Sequence, residues 1–132
     1  MIIIFSGLIQ AEISYRNYIY DFWQNVEPAP QAYIPIKEIK GQNLGLTSLK
    51  DPQDLYYRNG ILYILDSGNN RIILLDNKYD LIKIIKQFDG SDSFNNPAGL
   101  YVTEDSQIYV ADTHNNRIIH LNQDGKFIKE IG

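Results

Sequence analysis

The sequence predicts an all-β chain made of repeated four-stranded antiparallel units, and three observations carry that prediction. One stretch of sequence recurs after about 45 residues. Each copy breaks into four short apolar runs separated by Asn, Asp and Gly turns. Ten Tyr, five Phe and one Trp, with many Ile, give a composition that suits pleated, half-buried surfaces.

The repeat is read by offset. Asp51-Pro-Gln-Asp-Leu-Tyr56 aligns with Asn96-Pro-Ala-Gly-Leu-Tyr101, and LYILDSGNNRIILL (62–75) aligns with IYVADTHNNRIIHL (108–121). The offset grows by one residue between Pro52/Pro97 and Asp66/Asp112, and the extra residue falls where Arg58-Asn-Gly60 faces Thr103-Glu-Asp-Ser106. Turns are where insertions are tolerated, so this step supports the alignment. The first copy gives strands at 54–57, 61–65, 71–75 and 81–85, and the second at 99–102, 107–111, 117–121 and 127–131. Four strands in such a period make the blade of a β-propeller.

Patterning assigns each strand a place. Runs 61–65 and 72–75 are almost wholly apolar, as in strands covered on both faces. Run 81–86 admits two lysines, which suits an outer edge. A helix around 48–55 is blocked by Pro52. The predicted fold is thus a partial β-propeller of about two four-stranded antiparallel blades plus N-terminal strands. Its organisation reads as 1–11 a signal-like segment, 12–47 N-terminal strands and a Pro-rich connector with a partial blade, 48–90 blade 1 and 91–132 blade 2. Within the N-terminal part, 15–23 (YRNYIYDFW) reads as a strand and 26–35 as an extended connector carrying Pro28, Pro30 and Pro35. Ile36-Lys-Glu-Ile-Lys-Gly41 resembles Phe127-Ile-Lys-Glu-Ile-Gly132, so it reads as the last strand of a preceding blade.

Composition narrows the function. Twelve Lys+Arg against sixteen Asp+Glu give a formal charge of −4, which argues against a phosphate-neutralising nucleic-acid binder. Absence of cysteine removes disulfides, thiolate zinc sites and cysteine nucleophiles. Residues 1–11 (MIIIFSGLIQA) are uncharged and far shorter than the roughly 20 residues of a membrane-spanning helix. They match the apolar stretch and small-residue end of a secretory signal, without its basic start, and point to export or the cell surface. If 1–11 is instead a buried strand or follows from a mis-called start codon, and so is no signal remnant, the expected location is cytoplasmic.

The polar residues of each copy form one pattern: Asp66, Asn69, Asn70 and Arg71 in the first, Asp112, Asn115, Asn116 and Arg117 in the second. A group that recurs in every repeat reads as architecture, because a catalytic group is needed once. In that reading Asp accepts turn N–H groups, Asn takes left-handed backbone, and Arg braces the turn. Arg71 and Arg117 are also candidate partner contacts at the rim. Tyr56 and Tyr101, on the first strands, are candidate contacts along the channel, and His114 at a turn tip is a further candidate. His114 and His120 have no metal-ligand spacing, and no nucleophile or phosphate-loop motif is present. No catalytic residue, metal site or cofactor is expected.

The run Pro-x-x-Leu, then Tyr-(Ile/Val)-x-Asp-(Ser/Thr)-x-Asn-Asn-Arg-Ile, resembles the NHL repeat from Pro52 to Gly132. Asp54 stands where the second copy has Gly99, and the turn at Arg58-Asn-Gly60 is short. The resemblance implies a β-propeller, commonly six-bladed, that serves as a non-catalytic platform for protein or small-ligand binding. The start YIYDFW followed by Pro28-Ala-Pro30 is similar to exported bacterial members. The alternative is a piece of a calcium-dependent lactonase-like or lyase-like propeller, with Asp54, Asp66, Asn96 and Asp112 as oxygen donors. Two blades leave apolar faces bare. The expectation is therefore a truncated member with further blades in the same chain, an assembly of copies, or an open meander covered by the N-terminal segment.

Overall fold

The computed structural model describes residues 18–20, 22–28, 37–90 and 92–132. It is all-β: no α-helix occurs among the described residues. The chain divides into two compact units, Met1–Glu38 and Ile39–Gly132.

In the first unit, β1 (Tyr18–Tyr20) pairs antiparallel with β2 (Val26–Pro28), Tyr18 opposite Pro28. A single strand over 15–23 is therefore replaced by a hairpin, and the connector expected from residue 26 begins as its second strand. The chain reverses at Phe22 and Trp23, with Gln24 in left-handed backbone at φ 63°. Residues 1–17 and 29–36 lie outside the described residues, and with them the signal-like segment.

The second unit holds two meanders. β3 (Pro52–Arg58), β4 (Ile61–Asp66), β5 (Arg71–Leu75) and β6 (Leu81–Ile85) form blade 1 in sequential order. A small hairpin follows, β7 (Gln87–Asp89) with β8 (Asp92–Ser93). β9 (Gly99–Val102), β10 (Ile108–Asp112), β11 (Arg117–Leu121) and β12 (Phe127–Ile131) form blade 2. The turns are made by the residues that tolerate positive φ: Asn59 (51°) with Gly60 (79°), Asn70 (51°), Asn116 (53°) and Gly125 (73°).

Strand alternation sends the apolar side chains into two cores. Tyr63, Leu65, Ile72, Leu74 and Ile85 of blade 1 pack against Leu100, Val102, Ile108, Val110, Ile119 and Leu121 of blade 2, with Phe94 from the connection. The other face of blade 1, Leu62, Ile64, Ile73 and Leu75, is covered by Ile39, Leu44, Leu46 and Leu49. Full burial of one such side chain contributes about 1.5–3 kcal/mol, so β4 and β5, buried along both faces, anchor the unit. In β10 burial alternates instead, because one face of blade 2 has no cover among the described residues.

The strand expected over residues 36–41 is not formed in its described part, 37–41. Residues 37–40 are irregular and Gly41–Leu44 is a 3-10 turn. A fourth strand needs a third beside it, and no sheet among the described residues supplies one. The segment contributes through Ile39 and the three leucines that follow, as a strap over blade 1.

Candidate functional site

The repeated polar signature is a bracket built on a buried carboxylate. In blade 1 a 3-10 turn at Ser67–Asn69 and left-handed Asn70 bring Arg71 opposite Asp66 across the β4–β5 register. Asp66 Oδ2 accepts from Arg71 Nε at 2.6 Å and from Asn69 Nδ2 at 2.9 Å. Asp66 Oδ1 accepts the backbone N–H of Lys50 at 2.8 Å. Arg71 reaches onward to the Thr47 carbonyl at 2.9 Å, and Asn69 to the Ser48 carbonyl at 2.9 Å. The bracket thus ties the lead-in segment 47–50 to the blade that follows it.

Blade 2 repeats the device. Asp112 accepts from the Asn95 N–H (2.7 Å), Asn115 Nδ2 (2.8 Å) and Arg117 Nε (3.0 Å). Here the guanidinium also grips Asp92 with both terminal nitrogens, at 2.8 and 2.9 Å, and reaches Glu130 at 3.1 Å. The hydrogen bond to Asp92 is the main reason that Arg117 is held more firmly in its charged form. The same contact lowers the Asp92 carboxyl below its ordinary value. The Arg117 guanidinium also lies 5.6 Å from the centre of the Phe88 ring.

A second set of contacts joins the blades. Asn70 Oδ1 accepts the Asn96 N–H at 2.7 Å, and Ser67 Oγ donates to the Pro97 carbonyl. Asp54 Oδ2 accepts the Leu100 N–H at 2.7 Å. Asn59 Nδ2 donates to Glu104 O and Ser106 Oγ, both at 3.0 Å. The Tyr56 and Tyr101 rings meet edge to face at 5.5 Å, and Lys83 Nζ donates to the Asp124 carbonyl.

These contacts locate the candidate residues. Arg71 is only 2% exposed and offers little to a partner. Arg117, at 16%, is engaged by three carboxylates. It lies on the wall of a polar hollow of about 400 Å³ with Asp92, Asn115, Asn116, Glu130 and Gly132. Tyr56 is half-buried between the blades, Tyr101 is exposed, and His114 is exposed beside Asn96 (3.3 Å). Asp54, Asp66 and Asp112 do not converge: each carboxylate is used in a separate structural contact. No metal-binding group of three or more His, Cys, Asp or Glu is found among the described residues.

The bare apolar face expected of a two-blade unit lies on blade 2, and of its residues only Tyr101 was a candidate from the sequence. The registers place Tyr101, Tyr109, Ala111, Ile118, His120 and Ile131 on one side of the sheet. Tyr101, Ile118 and Ile131 are exposed, and the Tyr109 and His120 rings stack at 4.3 Å. The signal was in the alignment, since these positions match Tyr56, Tyr63, Leu65, Ile72, Leu74 and Ile85, the face of blade 1 that receives blade 2. Phe22 and Trp23, exposed at the hairpin turn of the first unit, were not singled out either.

Among curated proteins no match was found. The NHL repeat family model matches residues 94–121, from the buried Phe94 to the end of β11, which contains the whole bracket of blade 2. Blade 1 repeats the same strand order and the same Asp–Asn–Arg bracket. The chain thus carries an NHL repeat in its second blade, within a partial β-propeller of two blades.

Proposed function

We propose that the chain is a non-catalytic binding scaffold whose partner is a protein or a small ligand. One observation carries this reading. The Asp and Arg of each repeat signature are paired within the brackets, while the bare face of blade 2 presents Tyr101, Ile118 and Ile131 to solvent. Such a face recognises by area and shape rather than by bond-making chemistry. The excess of acidic over basic residues sets nucleic acid aside as a partner. No helix among the described residues is long and apolar enough to cross a membrane.

The test is a panel of peptides and oligosaccharides, screened by calorimetry against the chain and a Tyr101→Ser variant. Binding that is lost in the variant, with thermal stability unchanged, is the expected result. Saturable, calcium-dependent turnover of a lactone panel would overturn the non-catalytic reading. We further propose export, on the strength of the uncharged apolar run 1–11. Residues 1–25 fused to a reporter that is active only outside the cytoplasm should produce signal, and a silent reporter refutes the export reading.

A further inference from the structure

We propose that the outer edges of the two blades form a second binding surface, whose occupant is an extended acidic segment of another protein with apolar residues between its carboxylates. The inference goes beyond the reading above, because it concerns the rim strands β6 and β12 and not the face of blade 2.

Each rim strand carries a β-bulge at the same repeat position. In blade 1 the register steps from Leu75 opposite Leu81 to Leu74 opposite Lys83. In blade 2 it steps from Leu121 opposite Phe127 to His120 opposite Lys129. Ile82 and Ile128 are the residues stepped over, so neither is paired across its sheet. A bulge bends an edge strand and re-aims its side chains. The two isoleucines are 51% and 46% exposed. Blade 1 shows that this exposure belongs to the rim itself. Ile82 stays open although the neighbouring blade is in place and buries Ile85 of the same strand.

Charge follows the same strands. Lys83 and Lys129 come directly after the isoleucines, and Lys86 and Lys126 flank the strands. Lys86, Lys126 and Lys129 are exposed and make no ion pair among the described residues. Glu130, the acid within β12, is held by Arg117. Asp80 and Asp124 sit in the turns that precede the two strands. Lys83 donates to the Asp124 carbonyl, so the rim of blade 1 adjoins the start of β12. A chain of net charge −4 thus carries a basic band along its rim, beside exposed isoleucines.

Lysines and bulges keep a further strand from pairing with a sheet edge. The partner is therefore met through side chains, its carboxylates on the lysines and its apolar residues on Ile82 and Ile128. The lysines also turn away a second copy of the same edge. An anionic lipid surface suits the rim less well, because the excess acid of the whole molecule opposes it. A single segment feels only the charges within about 8 Å at physiological salt.

Fluorescence anisotropy with a labelled peptide alternating Glu and Leu tests the proposal, with Glu–Ser and Lys–Leu counterparts as controls. The Glu–Leu peptide should bind saturably and weaken as salt is raised. Both counterparts should bind at least about tenfold more weakly, as should the Glu–Leu peptide to either of two double variants, Ile82→Ser with Ile128→Ser and Lys86→Glu with Lys129→Glu. Lys83 is spared because it holds the Asp124 carbonyl. All four substituted positions are exposed, and circular dichroism first confirms that both variants fold. Tyr101→Ser should leave this binding unchanged, which separates it from the surface proposed above. The proposal is overturned if the Glu–Leu peptide does not bind, if its counterparts bind as well, or if the rim variants bind like wild type. It is equally overturned if Tyr101→Ser abolishes binding, or if vesicles of phosphatidylcholine and phosphatidylserine are bound and the peptide is not. A ligand of the earlier panel that is still lost in Tyr101→Ser leaves the scaffold reading intact in each of these cases.

Discussion

Two residues at identical repeat positions can have different weight. Asp66 and Arg71 are both buried, and each is the other's only counter-charge in the bracket. Removing one charge of a buried pair costs about 3–5 kcal/mol, so Asp66→Asn should shift urea unfolding by that amount. Asp112→Asn should cost less, about 1–3 kcal/mol, because Arg117 keeps Asp92 and Glu130. Equal losses would mean that the shared signature, not its surroundings, sets the energy. Asp92 adds a pH dependence. Its folded carboxyl titrates below the ordinary value, chiefly through the hydrogen bond from Arg117. Its contribution is therefore present above the ordinary carboxylate value of about 3.9 and is lost as pH falls through the lower folded value. The stability gap between wild type and Asp92→Asn should shrink below that point; a gap that widens on acidification contradicts the assignment.

At the scale of elements, the blades are clipped together through their turns as well as their faces. Gly125, in the turn between β11 and β12, combines φ 73° with a position where a Cβ would lie 2.6 Å from Ile85 Cδ1 in blade 1. Alanine there meets both a strained backbone and an occupied space. Gly125→Ala should cost about 1–3 kcal/mol, and Gly60→Ala, equally strained but with open space around it, should cost less. Thermal unfolding of the two variants checks the order. The strands themselves were legible, because turn residues and apolar runs are local signals: β5, β6, β9, β11 and β12 fall where the repeat placed them. The hairpin of β1 and β2 was not legible, since a reversal at Phe22 and Trp23 uses none of the usual turn glycines or prolines. Nor was the strap: Ile39, Leu44, Leu46 and Leu49 keep no helical or strand period.

At the scale of the molecule, stability is unevenly spread. Blade 1 is covered on both faces and blade 2 on one. Amide exchange should therefore be slowest in β4 and β5 and faster in β11 and β12, because opening frees least where both faces are buried. Equal protection in the two blades at low concentration would contradict this asymmetry.

The sequence by itself determined the repeat, the strands and the turns, because each rests on contacts between residues close in the chain. It also marked Asp66, Asn69, Asn70 and Arg71, with their partners at Asp112, Asn115, Asn116 and Arg117, as a recurring unit. Tertiary structure alone decided what that unit holds. Its partners 16 and 17 residues earlier are backbone N–H groups of Lys50 and Asn95, and any residue but proline carries such a group. Only the packing shows which faces are spent and which are free, since Leu55 and Leu100 are the same residue at the same repeat position and differ only in what lies across from them.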